Sequence, residues 1–143
     1  MKVGELMTAP VLWVGADETA DIAARTMTQY NIGALPVCAA DGCICGIVTD
    51  RDLVTRCLAA QKDPTATRVR QIMTQRVCCT QPQMEAALAA HLMGRLRVRR
   101  LPVVEKGKIK GIRALSDLTR FEESFQDAAD ALGDICENIW KNH

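Results

Sequence analysis

Most of this chain is two copies of one unit, and that repeat constrains the fold more than any other feature. Set against itself at an offset of 66, the sequence pairs Val3 with Val69, Met7-Thr8 with Met73-Thr74 and Val11 with Val77. The same offset pairs Ala23-Ala24 with Ala89-Ala90, Met27 with Met93 and Leu35-Pro36-Val37 with Leu101-Pro102-Val103. One residue is lost near position 40; at an offset of 65, Gly42 then meets Gly107, Ile44 meets Ile109 and Gly46-Ile47 meets Gly111-Ile112. The match runs from residue 3 to about 121. A copy of about 60 residues is marginal alone, so the two are expected to pack on each other.

Within the repeat, the run from Gly46 to Leu53 returns as Gly111 to Leu118. Each reads as a strand end, a short turn and a helix start. A helix start offers unpaired backbone N–H groups and a partial positive charge, both suited to a phosphate. The Thr49 hydroxyl can cap the helix or touch that phosphate, and the Asp52 carboxylate can accept from ribose hydroxyls. Helix capping alone explains the same residue types.

Read in order, residues 3–8 are a short lead-in and residues 11–14 a strand. Asp17 is placed to cap a helix running to about Tyr30, with Ala20, Ala23, Met27 and Tyr30 on one face. Strands over residues 34–39 and 43–48 are joined by Asp41-Gly42, a hairpin turn pair, and a second helix is expected over residues 49–61. The β-α-β-β-α order then repeats: a strand near Val77, a helix over 84–96, strands over 101–105 and 108–113, and a helix from Ser116. The resulting division is a first repeat over 1–62, a linker over 63–68, a second repeat over 69–121 and a helical extension over 122–143. In that extension Phe121, Phe125, Ala128, Leu132, Ile135 and Ile139 recur every three or four residues, the mark of an amphipathic helix. It either packs back on its own module or meets a second copy.

Composition narrows the function. The formal net charge is +1, which argues against a polyanion or a membrane surface as a global partner. No apolar run reaches the roughly 18 residues of a spanning helix. Seven cysteines, an odd number without a framework spacing, fit a reducing interior, and the reading is cytoplasmic. Cys43 and Cys45 share a strand face while Cys78 and Cys79 point apart, and neither pair has the spacing usual for a metal site. His91 falls within a helix, more suited to the surface than to ligation, and no Cys-His or Ser-His-Asp constellation offers a nucleophile. The expectation is no catalytic residue, no metal and no enzyme.

The opening Met-Thr, the Leu-Pro-Val strand, the turn glycine and the run Gly46-Ile47-Val48-Thr49-Asp50-Arg51-Asp52 together resemble the paired CBS domains of a Bateman module. The resemblance covers both repeats and leaves out roughly the last twenty residues. It implies an α+β fold: two tandem β-α-β-β-α repeats packed through their sheets with pseudo-two-fold symmetry, here with a C-terminal amphipathic helix added. It also implies a regulatory module whose clefts between the repeats take an adenine nucleotide or a related adenosyl compound. AMP, ADP, ATP and S-adenosylmethionine are the candidate ligands, and no cofactor is obligatory.

Carried over residue by residue, the first cleft uses Thr49 for phosphate and Asp52 for ribose, with Arg51 between them. Val98, Arg99 and the segment from Thr74 to Val77 supply its adenine wall. The second uses Ser116 and Asp117, with Arg99 and Arg100 near the phosphates and a wall from Ile32, Gly33 and the segment from Thr8 to Val11. The pattern is broken where Ala114 replaces the hydroxyl of Thr49 and Arg99 replaces Gly33, so the clefts are expected to bind unequally. The resemblance further implies a homodimer and a regulated activity in another chain. A protein-contact module without a small ligand is the competing reading. A nucleic-acid binder using the arginines near Leu101 fares worse, for want of aromatic residues to stack on bases.

Overall fold

The computed structural model of the chain describes residues 2–6, 12–75, 77–115 and 122–141. The chain forms two compact units, one of Leu12–Val77 with Lys106–Ile109, the other of Met1–Val11, Cys78–Glu105 and Lys110–His143. These units do not coincide with the repeats, because the lead-in of each copy hydrogen-bonds to the body of the other. The amide of Val69 donates to the Glu18 carbonyl at 2.8 Å, and in the second unit the amide of Val3 donates to the Met84 carbonyl at the same distance.

In the first unit, β1 (Val14–Gly15) lies parallel to β2 (Ala34–Cys38), which is antiparallel to β3 (Ile44–Thr49). β1 is shorter than the expected strand over 11–14. In the parallel register Val14 meets Val37, so one more residue would bring Trp13 to Pro36, which has no N–H for the ladder. The β2–β3 register runs from Ala34 opposite Thr49 to Val37 opposite Gly46, then shifts so that Cys38 meets Ile44 and Cys45 is the extra residue of a bulge.

Helix α1 (Ala20–Tyr30) has Thr19 and not Asp17 at its N-cap position, and the Thr19 side chain makes no capping bond to a backbone amide. Arg70 accounts for the difference: its Nε donates to Asp17 Oδ1 at 2.8 Å, which ties that carboxylate to a later segment. Ala20, Ala23 and Met27 are buried as expected, but Tyr30 is half exposed because the helix ends there, with Asn31 in the left-handed region at φ 53°. After β3 comes one turn of helix, α2 (Asp50–Asp52), which continues as a π-wound segment (Leu53–Leu58) and not as the regular helix expected to Gln61. The expected linker is tightly bonded: Asp63 Oδ1 accepts from the Thr65 amide at 2.9 Å, and Thr67 is buried with its carbonyl accepting from the Ala20 amide. The short α3 (Val69–Ile72) closes a core of Val14, Leu35, Val37, Val48, Val69 and Ile72. Leu35 has no exposure, and truncation to Ala there costs about 2–5 kcal/mol.

The second unit repeats the plan more sparsely. Residues Val3–Leu6 form a 3-10 turn, and the strand expected near Val77 is a single parallel bridge from Thr80 to Val103. Helix α4 (Ala86–Leu96) and the two-stranded sheet of β4 (Arg100–Glu105) and β5 (Lys108–Ala114) follow. The helix expected from Ser116 begins outside the described residues. Helix α5 (Glu122–Lys141) packs back on α4, as the reading in which the tail meets its own module expects. Its buried stripe is Ala128, Ala131 and Ile135, with Leu132 at 43% exposure, one residue off the expected stripe. The close fit of Gly94 explains the shift, because a Cβ there would lie 3.1 Å from Ala131 Cα, which leaves no room for a leucine.

Candidate functional site

The junction of β3 and α2 holds the residues that the sequence singled out. The Thr49 amide donates to Asp52 Oδ2 at 3.0 Å, and the Asp52 amide donates to Thr49 Oγ1 at 3.1 Å. This reciprocal capping box satisfies two amides of the helix start. The remaining two are also used: Asp50 N donates to the Gly33 carbonyl at 3.0 Å and Arg51 N to Asp50 Oδ1 at 2.8 Å. The expectation that this helix start presents unpaired N–H groups to a phosphate is therefore corrected. The carboxylates of Asp50 and Asp52, the Thr49 hydroxyl and the Gly33 carbonyl satisfy them first, three of these four acceptors being held within reach on the same short segment.

Asp52 is 7% exposed. Its Oδ1 lies 3.7 Å from Arg56, whose Nη1 also donates to the carbonyls of Ile72 and Met73, both at 3.1 Å. The next residue, Thr74, exchanges backbone bonds with Ile47: Ile47 N to Thr74 O at 3.0 Å and Thr74 N to Ile47 O at 2.8 Å. Gly46 makes this approach possible, because a Cβ there would sit 2.5 Å from the Thr74 carbonyl oxygen. Arg56 was not singled out from the sequence, though its spacing of four residues from Asp52 on a helix is the usual signal for an ion pair.

The first unit thus brings Thr49, Asp52, Gly33 and Thr74 together, with Arg51 exposed beside them. Ile32 packs against the first core, and Val77 lies in the same unit. Val98, Arg99 and Arg100 belong to the second unit and are all exposed, Val98 by 37%. Arg97 is the C-cap of α4, in the left-handed region at φ 55°. Thr8, Val11, Ser116 and Asp117 lie outside the described residues.

The opposite end of β3 opens on a different feature, a cleft of about 650 Å³ among Trp13, Cys38, Cys45 and the Asp17–Arg70 pair. None of the expected ligand residues lines it. Burial, with smaller contributions from Cys45, Cys43 and Asp41, pushes the Cys38 thiol up to about 11. Burial likewise raises Cys79, helped by Cys78. Among the described residues no three Cys, His, Asp or Glu side chains are arranged to hold a metal ion, and no helix is long and apolar enough to cross a membrane. His91 lies on the surface of α4, its Nε2 3.1 Å from Asp127 of α5.

Two tandem units with this junction define a class, and comparison with known proteins gives its name. The CBS domain family model matches residues 3–59 and 69–124, and the chain belongs to that family as a CBS domain pair, a regulatory module. The CBS domain-containing protein YhcV of Bacillus subtilis is 36% identical over 134 residues, 94% of each chain. Hypoxic response protein 1 of Mycobacterium tuberculosis is 33% identical over 116 residues, 81% of each chain. A crystal structure of Hypoxic Response Protein I with two coordinated zinc ions matches with a TM-score of 0.78 at 32% identity, over 84% of this chain and 98% of its own. A CBS domain pair solved with 5'-methylthioadenosine and S-adenosyl-L-methionine matches with a TM-score of 0.76, over 84% of this chain and 94% of its own. At 24% identity that likeness is one of fold.

Proposed function

We propose that the chain senses an adenine-containing ligand and passes its binding on to an activity carried by another chain. The observation that carries this reading is the β3–α2 junction, where a nearly buried carboxylate at Asp52 is held in a fixed orientation by Thr49 and Arg56. A carboxylate keeps about four lone-pair sites, so the two contacts leave capacity for ribose hydroxyls. We assign Thr49 to phosphate and Asp52 to ribose, with Val98 and Arg99 on the adenine side of that first cleft, and Arg99 and Arg100 to the phosphates of the second. Ser116 and Asp117 keep the roles given them by the repeat, as do Thr8 and Val11. A CBS pair of the same fold holds two adenosyl compounds, which supports adenosine as the common part of the ligand.

Regulation on this reading needs a ligand that favours one arrangement of the module over another by differential affinity. The link from Asp52 through Arg56 to residues 72–74 gives such a preference a physical route within the first unit. Equilibrium dialysis with ATP tests the assignment. Asp52→Asn keeps an acceptor for the cap but removes the charge and is expected to weaken binding about tenfold, the loss of one charge-assisted contact. Unchanged affinity would remove Asp52 from the site.

A second reading, a protein-contact module that takes no small ligand, is favoured by the four satisfied amides at residues 49–52 and by the exposure of Val54 at 54% and Leu58 at 73%. A homodimer through that face belongs to this reading, and light scattering of purified protein distinguishes it from a monomer.

A further inference from the structure

Cys38 and Cys45 meet across the bulge that ends the β2–β3 ladder. The register sets Val37 opposite Gly46, so the next pair of an unbroken ladder would be Cys38 and Cys45. The bulge makes Ile44 the partner of Cys38 and leaves Cys45 as the extra residue, so that two residues oppose one. Opposite residues of an antiparallel pair have Cα atoms about 4.5–5.5 Å apart, inside the span of about 4.4–6.8 Å that a disulfide bridges. Both cysteines also line the cleft of Trp13 and the Asp17–Arg70 pair, so they lie on one side of the sheet.

The fold requires a thiol at neither place. The second copy has Val104 and Lys110 there, on the hairpin of β4 and β5. The two thiols differ in their surroundings. Cys38 has no exposure, and burial, with smaller contributions from its neighbours, holds it up at about 11, so at neutral pH it is protonated and unreactive. Service as a small buried hydrophobe accounts for Cys38 but not for Cys45, which is partly exposed and is the thiol a reagent in the cleft meets first. At about 650 Å³ the cleft has room for a small molecule.

We propose that Cys45 is a modification site for low-molecular-weight disulfides and that Cys38 is its resolving thiol, the pair closing to an internal disulfide. The Cys45 thiolate attacks one sulfur of the small disulfide RSSR, forming a mixed disulfide and releasing a thiolate, which takes up the proton that Cys45 gave up. Cys38 Sγ then attacks Cys45 Sγ, and its proton passes to the second departing thiolate. Proximity across the bulge offsets the low thiolate content of Cys38. Two cysteine thiols are oxidised by two electrons, and one small disulfide is reduced to two RSH. The loop closed, residues 38–45, is short, so the crosslink gains little from chain entropy and an excess of small thiol reopens it.

Thiol trapping on the whole folded chain tests the proposal. Reduced protein is exposed to glutathione disulfide, its remaining thiols are alkylated, and cleavage before aspartates leaves Cys38 on the peptide 21–40 and Cys43 with Cys45 on 41–49. Mass spectrometry of the native chain is expected to find Cys38 linked to Cys45, with the loss of two hydrogens and no glutathione retained, and reduced glutathione is expected to reverse the link. Cys38→Val, which carries the second copy's residue, should stop at the mixed disulfide with glutathione on Cys45, while Cys43→Ser should link as the native chain does. Should Cys38→Val fail to fold, Cys45→Ser takes its place and should leave Cys38 a free thiol. Free Cys38 and Cys45 in the native chain, glutathione retained on its Cys45, or a link that uses Cys43 in place of Cys45 would each overturn the proposal.

Discussion

Thr49 and Asp52 cap each other, backbone to side chain in both directions, at 3.0 and 3.1 Å. The pair that the sequence marked for a ligand is thus also the start of its own helix, and any ligand role is added to that structural one. Thr49→Ala is expected to lower stability by about 1 kcal/mol through loss of the cap. Asp52→Ala should cost somewhat more, because Arg56 loses its carboxylate as well. The double variant should cost less than the two single losses together, since both break one reciprocal bond pair. Urea denaturation measures all three, and strictly additive losses would mean that the two residues act separately.

Gly46 is required by packing. A Cβ there would come within 2.5 Å of the Thr74 carbonyl oxygen and 3.0 Å of the Met73 sulfur. Methionine can swing away, but the carbonyl is bonded to the Ile47 amide and cannot. Gly46→Ala is therefore expected to destabilise by about 1–3 kcal/mol or more, as overpacking does. A melting temperature within a degree of the native protein's would show that the segment at residues 73–74 yields.

Two glycines of the α4–α5 pair should respond in opposite directions. At Gly94 an added Cβ meets Ala131 Cα at 3.1 Å and an Asp134 carboxylate oxygen at 3.0 Å, whereas at Gly133 it meets nothing within 4 Å. Alanine gains up to about 1 kcal/mol of helix propensity over glycine in a helix interior. Gly133→Ala should keep that gain and raise the melting temperature, while Gly94→Ala should lose more to the clash and lower it. Equal shifts for both would mean that α5 does not lie on α4 as closely as described.

The buried Cys38 thiol sets a limit on stability in alkali. Its ordinary value of 9.0 is raised to about 11 in the folded chain. Between those values the unfolded chain gives up a proton that the folded chain keeps, so stability falls as pH rises through this window and is unaffected below it. Cys38→Ala removes that contribution whatever the cavity costs at neutral pH. Denaturation midpoints measured from pH 8 to pH 11 should fall less steeply in the variant than in the native protein; parallel curves would show that Cys38 ionises normally.

How far the sequence could be read depended on whether a residue's role was local. The repeat, both hairpins with Gly42 and Gly107 at positive φ, and the helices α1 and α4 follow from spacing and turn chemistry within a few residues. The cap was misplaced because Asp17 and Thr19 are equally suited to it, and the choice is made by Arg70, 53 residues away. The paired turns were invisible for the same reason: Cys43 bridges Lys108, and the amides of Ile44 and Ile109 donate to Gly107 and Gly42. At the site, Thr49 and Asp52 were legible as a pair. That the amide of Asp50 between them is also satisfied was not, since it depends on the carbonyl of Gly33 arriving from the residue before β2. In α5 the apolar spacing gave the helix, but only the Gly94 contact decides that Ala131 faces inward and Leu132 outward.

The central claim is that adenine compounds bind this CBS pair through Asp52. Its most direct test is the melting temperature of purified protein with ATP, ADP, AMP and adenosine, beside GTP as control, for the native chain and Asp52→Ala. A ligand at 100 times its dissociation constant adds about 2.7 kcal/mol, a shift of several degrees for a chain of this size. The account predicts such a shift with adenine compounds, none with GTP, and its loss or reduction in Asp52→Ala. No shift with any adenine compound, or an equal one with GTP, would contradict it and leave the module to work by protein contacts alone.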